Sequence, residues 1–142
     1  MPKTDNSKSQ LSNNTLIAYG GLALPLSIAH LPIILYLPAF YAKEIGLNIG
    51  MVGLVFLFAR LWDGISDPII GLLSDRARSR FGRRKPWVIT GAPLLMVATW
   101  FLCNPPNGIG LLYLGIWAVL FYTAYTIMII PYWSWGAELS SD

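Results

Sequence analysis

Charge is scarce in this sequence. Only 12% of its 142 residues are Asp, Glu, Lys or Arg, about half the roughly 25% typical of soluble domains, which argues for a chain built for a bilayer. Cysteine is nearly absent. Cys103 stands alone, so no internal disulfide, thiolate metal cluster or two-cysteine redox motif can form. There is no glycine-rich phosphate loop and no nucleophile paired with a base, so an enzyme is not expected, and no cofactor is implied. A cleavable signal peptide is missing too. Residues 1–14 are polar, rich in Ser, Asn and Lys, and read as a disordered tail.

What is abundant is apolar sequence, 55% of the chain. It falls into four stretches, at about 15–42, 46–73, 86–103 and 109–137. A helix needs about 20 apolar residues to span a bilayer. The third stretch is at the short end and the others exceed it, as tilted or bent helices do. Prolines lie inside all four, among them Pro25, Pro32, Pro38, Pro68, Pro93 and Pro131. In a membrane bundle, neighbouring helices can satisfy the carbonyls that proline frees.

Six of the ten basic residues lie between Arg76 and Lys85. Apolar runs flank this loop, so it reads as a topology signal and not as a nucleic-acid patch. The positive-inside rule makes it cytoplasmic, with the N-terminal tail on the same side. "NPPNG" then turns outside the membrane, and the chain is expected to be a multi-pass protein of the plasma (inner) membrane. In a Cys103→Ser background, a cysteine at Ser79 should react with an impermeant maleimide only from the cytoplasmic side, and one at Asn107 only from outside. The reverse labelling overturns this topology.

Against that apolar background, "ARLWDGISDP" is conspicuous. At 100° per residue, Arg60, Asp63 and Asp67 fall within about 60° of one another on a helix. Each unpaired charge costs roughly 2.5–3.5 kcal/mol at a bilayer centre, so the three must face the bundle interior or a wet cavity. Arg60 can neutralise one aspartate. The other calls for a proton or a cation, and two close carboxylates titrate as a pair. The competing reading is a salt-bridge cluster that only fixes packing. Gly53, Gly64 and Gly71 form a stripe beside this face and read as close helix packing. Tyr122, Thr126, Ile129 and Trp133 share one face of the fourth stretch, and Tyr19, Ser27, His30 and Tyr41 one face of the first. Aromatics and hydroxyls on an inward face suit a hydroxylated or amphiphilic ligand.

The segments "ARLWDGISDPIIGLLSDRARSRFGRRKPW" and "YTIMIIPYWSWGAELSSD" resemble the glycoside–pentoside–hexuronide:cation symporters, the melibiose-permease-like branch of the major facilitator superfamily. The resemblance runs from Tyr19 to the end of the chain. It implies an all-α membrane protein, here the first four of twelve helices and part of the N-terminal half, completed by a C-terminal portion of the same transporter. It also implies a cation site at Asp63, Asp67, Ser66 and Thr126, with Asp63 and Asp67 as metal ligands if the ion is Na⁺. The candidate solute contacts are Trp133, Tyr122, Ser27, His30 and Arg60. Gly71, Asp75, Arg76, Arg80, Gly82, Arg83 and Arg84 match the superfamily's conformational loop. The acids that the family's sugar transporters carry on helices one and four are replaced by Ser27 and Ile129, which argues against an α-galactoside.

Three functions fit the sequence. The first is a segment of a Na⁺- or H⁺-coupled symporter for a sugar or glycoside, working by alternating access. The second is a lysophospholipid or other amphiphile symporter of the same fold. The third is a four-span membrane scaffold. All three place the chain in contact with the lipid bilayer, and the first two with a small-molecule solute.

Overall fold

The computed structural model describes residues 13–76 and 85–141. It consists of four helices: α1 (Asn13–Lys43), α2 (Ile49–Arg76), α3 (Lys85–Cys103) and α4 (Leu111–Ser141). This is the expected helix count, with no strand among the described residues. The first twelve residues of the polar tail, and the loop residues Arg80, Gly82, Arg83 and Arg84, lie outside the described range.

The helix ends follow local chemistry more closely than hydropathy does. Lys43 in the last turn of α1 complements the negative end of the helix dipole. Gly46 adopts φ 79°, which a residue with a Cβ resists, and the helix stops there. Asn48 then caps α2, its Oδ1 accepting from the N–H groups of Gly50 at 2.9 Å and Met51 at 3.3 Å. The second helix therefore begins at Ile49, later than the apolar run, and it continues past Leu73 to Arg76. Gly108, at φ 77°, breaks the chain before α4 in the same way. All four helices carry their prolines without interruption.

α4 is the hub. α2 and α3 both lie along it, and α1 packs against α2. The core joins Leu37 and Tyr41 of α1, Val52 and Ala59 of α2, Ala98 and Leu102 of α3, and Leu114, Ala118 and Phe121 of α4. Two tyrosine hydroxyls tie helix ends: Tyr41 donates to the Leu102 carbonyl at 2.9 Å, and Tyr113 to the Phe101 carbonyl at 2.9 Å. The Tyr41 bond is buried and satisfies its polar atom inside the bundle, as a low-dielectric setting demands, whereas the Tyr113 bond is exposed.

Three helical segments, Ile49–Arg76, Pro86–Cys103 and Leu111–Ser134, are long and apolar enough to cross a membrane. α1, at 31 residues, spans about 46 Å. The outer surface is apolar, with Leu35, Trp100 and Leu112 at 73%, 67% and 78% exposure. Such a surface would drive aggregation in water and is matched by lipid.

The expected glycine stripe is only partly a packing feature. A Cβ at Gly53 or Gly64 would meet nothing, because both are exposed among the described residues, whereas one at Gly71 would reach Ile130 Cγ2 at 3.9 Å. The close approach is instead at Gly91 of α3. There a Cβ would sit 2.7 Å from Met128 Cγ, 3.0 Å from Ile127 Cγ2 and 3.4 Å from the Ala124 carbonyl oxygen. Gly91→Ala should push α3 off α4 and destabilise the bundle by about 1–3 kcal/mol, as overpacking does. The check is the thermal unfolding midpoint in detergent. A native midpoint would show that the two helices tolerate the extra methyl.

Candidate ion and solute site

α2 and α4 run parallel, with contacts advancing together from Val55–Gly115 to Gly71–Ile130, and their facing surfaces carry the polar groups. Asp63 and Asp67 are one turn apart on α2. Across from them, Thr126 of α4 is almost fully buried. Its Oγ1 lies 2.8 Å from Asp63 Oδ1 and 2.9 Å from Asp67 Oδ1. A threonine hydroxyl carries one hydrogen. It can donate to one carboxylate at a time, so the second short oxygen–oxygen contact is favourable only with a further positive charge. A proton on one carboxyl would supply it, and so would a cation drawing the three oxygens together.

The donor set is all oxygen. Among the described residues no three His, Cys, Asp or Glu side chains gather as a metal centre would require. Two carboxylates and a hydroxyl suit a proton or a hard monovalent cation far better than a transition metal. Ser66 is buried behind the pair, where its hydroxyl donates to the Asp63 main-chain carbonyl at 3.1 Å, bracing the turn that carries the acid.

Arg60 reaches Asp63 with Nη1–Oδ2 at 3.8 Å, and its side chain is 57% exposed against 17% for the aspartate. The guanidinium also lies over the Tyr122 ring, 5.7 Å from the centroid. Arg60 thus shares Asp63 with the Thr126 hydroxyl, while the ion pair offers nothing to Asp67. His30 of α1 stacks on Tyr125 with centroids 4.1 Å apart. Its Nε2 is buried with no hydrogen-bond partner among the described residues. It borders a cavity of about 210 Å³ between α1, α3 and α4, lined by Pro25, Met96, Phe121 and Met128 among others.

The structure therefore brings Arg60, Asp63, Asp67, Ser66, Tyr122 and Thr126 together, with His30 one layer away behind Tyr125. Other expected residues stand apart. Ser27 is exposed on α1. Trp133 is 64% exposed, about two turns past Thr126 and beyond Pro131, while Tyr122, Thr126 and Ile129 of the same face are buried. Gly71, Asp75 and Arg76 lie at the C-terminal end of α2, and the Ser74 hydroxyl there donates to the Gly71 carbonyl at 2.9 Å.

One polar bridge was not expected from the sequence. The Trp62 indole N–H donates to Thr123 Oγ1 at 3.0 Å, and that hydroxyl donates onward to the Val119 carbonyl at 2.8 Å. Its signal was the placement of Trp62 beside Asp63 and of Thr123 one turn before Thr126.

The profile of the family described as MFS/sugar transport protein matches residues 17–142. The inner membrane symporter YicJ of Escherichia coli (strain K12) is 39% identical over 113 residues, covering 78% of this chain and 25% of that protein. An uncharacterized symporter, sll1374, of Synechocystis sp. is 33% identical over 146 residues, covering 96% of this chain and 27% of that protein. The sodium-dependent lysophosphatidylcholine symporter 1 of Mus musculus is 29% identical over 141 residues, covering 92% of this chain and 26% of that protein. The chain spans about a quarter of the length of these relatives.

Proposed function

The chain belongs to the MFS/sugar transport protein family, and on that premise we propose that it forms the first four spans of a cation-coupled symporter for a sugar-like solute. It is a multi-pass membrane segment of a transporter family and not an enzyme. The observation that carries the coupling is the Thr126 hydroxyl held within 2.9 Å of both carboxylates, with one hydrogen to give. The coupling ion, Na⁺ or H⁺, supplies the missing positive charge. It binds between Asp63 and Asp67, Thr126 completes the oxygen set, and Ser66 braces the turn. Arg60 and Tyr122 line the approach and offer a guanidinium and a ring to the solute. His30 offers an imidazole nitrogen with no partner among the described residues. Trp133 stands at the exposed end of the same α4 face, where a sugar ring can stack. Alternating access exposes the site first to one side of the membrane and then to the other, with Gly71, Asp75 and the basic loop at the cytoplasmic end. The protein sits in the plasma (inner) membrane with its N-terminus in the cytoplasm.

A second reading, an amphiphile as solute, is favoured by one observation. Between α2 and α4, Met51, Leu54, Phe58, Leu112 and Ile116 line an open apolar groove of about 770 Å³, a surface with no use for a sugar. The similarity to a lysophosphatidylcholine symporter over most of this chain agrees with it.

The experiment is uptake into vesicles holding the full-length protein. A panel of radiolabelled glycosides and one lysophospholipid is offered under an imposed Na⁺ gradient, then under an imposed H⁺ gradient. Concentrative uptake of a glycoside under one gradient supports the first reading, and of the lysophospholipid the second. Uptake indifferent to both gradients overturns cation coupling.

A further inference from the structure

We propose that Trp62 and Thr123 form a positioning pair that sets the register of α4 against α2, and so holds Thr126 on the two aspartates. The inference rests on the ion-site reading above and adds residues which that reading does not use.

The geometry is a short ladder of polar contacts along one seam. On α2, Trp62 is the neighbour of Asp63. On α4, Thr123 lies one turn from Thr126. The indole N–H meets Thr123 Oγ1 at 3.0 Å, and the two carboxylates meet Thr126 Oγ1 at 2.8 and 2.9 Å. Around these contacts the seam is apolar or small: Ala59 and Ile70 of α2 are buried, and further along Val55 lies against Gly115 and Gly71 against Ile130. Contacts of that kind change little when one helix slides or turns by a fraction of an ångström. A hydrogen bond weakens steeply with the same shift. The polar ladder therefore decides the register.

Thr123 is suited to the role because its own rotamer is fixed. Its hydroxyl hydrogen goes to the Val119 carbonyl at 2.8 Å, which leaves an oxygen lone pair aimed at the indole. Trp62 is suited because indole nitrogen can only donate. Its ring is 46% exposed, so a membrane or a dry cavity leaves that N–H few other partners. An unmet donor there is costly, and the bond persists where water would have competed for it. Thr126, one turn on, is thereby kept within reach of both Asp63 and Asp67. Without the bridge α4 is free to shift, and the hydroxyl settles on one carboxylate at the expense of the other.

The test uses the full-length protein in detergent. NaCl is titrated calorimetrically against choline chloride at alkaline pH, and a pH-indicator dye follows the protons released. Asp67→Asn serves as the reference for a lost site. Trp62→Phe keeps the ring and removes the donor, while Thr123→Val keeps the shape and removes the acceptor. Each is expected to weaken ion binding about five- to tenfold, the size of one hydrogen bond. The double variant should lose no more than the larger single loss, and Thr123→Ser should bind as the native protein does. The ion-free thermal midpoint should fall by no more than the few degrees that one lost hydrogen bond explains, with every variant fully folded at the titration temperature. Native ion affinity in either single variant overturns the proposal, as do losses that multiply in the double variant or a Thr123→Ser as weak as Thr123→Val. A fall in the ion-free midpoint that accounts for the weaker binding also overturns it, because the pair would then be structural only. If Asp67→Asn binds ions as the native protein does, the ion site itself is misplaced. That result is separate from the others and removes the pair's role with it.

Discussion

Full-length protein carrying Asp67→Asn is expected to lose cation-driven uptake by about a hundredfold or more, while exchange of solute down its own gradient persists. Asparagine keeps the shape and one oxygen, so Thr126 retains an acceptor where Asp67 Oδ1 stood, 2.9 Å away. What disappears is the negative charge that makes the second contact need a proton or a cation. Removing one member of a half-buried charged set costs about 3–5 kcal/mol of interaction, which is the stated loss or more. Asp63→Asn should act in the same direction and add a second effect. Asp63 is the ion-pair partner of Arg60 at 3.8 Å, so among the described residues its loss leaves the guanidinium held by Tyr122. The Asp63 variant should therefore also alter the KM for solute, whereas the Asp67 variant should alter ion dependence alone. Uptake with and without an imposed ion gradient, measured for both variants, decides the matter. Undiminished ion dependence in both would show that the coupling ion binds elsewhere.

The charged face of α2 was legible in the sequence because helical periodicity is local. Asp63 and Asp67 had to share a face whatever surrounded them, and acids in an apolar run had to face inward. The four helices were legible for the same reason. Their ends were less so. The apolar run begins at Gly46, but the positive φ of that glycine and the Asn48 cap delay α2 to Ile49.

Features that depend on the register between helices were hidden. Gly91 looks no different in sequence from Gly53 or Gly64, yet among the described residues only Gly91 has α4 side chains within 3 Å of a notional Cβ. The Trp62–Thr123 bridge joins residues 61 apart, and nothing in either helix alone specifies the pairing. Trp133 shows the converse. Periodicity puts it on the face of Thr126, but at that level of α4 the packed side is the one that carries Tyr132, which is buried, and the Trp133 ring is left exposed. The resemblance to the symporters supplied Thr126 as partner of the two acids, and the geometry joins the three.

These 142 residues, purified and reconstituted alone, are expected to give no coupled uptake above that of empty vesicles. The reason lies in what faces the ion site. Thr126 closes it from α4 and Ser66 from within α2, but the Arg60 side chain is 57% exposed and Trp62 beside it is half-exposed. In a bilayer such a face needs protein or water against it, since a lone charge near the centre costs roughly 2.5–3.5 kcal/mol. Alternating access, moreover, rocks one bundle of helices against another around a midplane site. The relatives named as symporters are about four times as long as this chain, which covers 25–27% of each. Four helices, one of them the hub, hold the proposed site but no second body to move against it. The segment should still insert, because its lipid-facing residues are apolar, and it should associate through the α2 face that carries Arg60. The measurement is ²²Na⁺ and labelled-glycoside flux into vesicles under imposed gradients, with full-length protein as the positive control and crosslinking to report association. Coupled flux by the segment alone would mean that copies of this chain supply the second body for one another, and the site would then have to be redrawn at their interface.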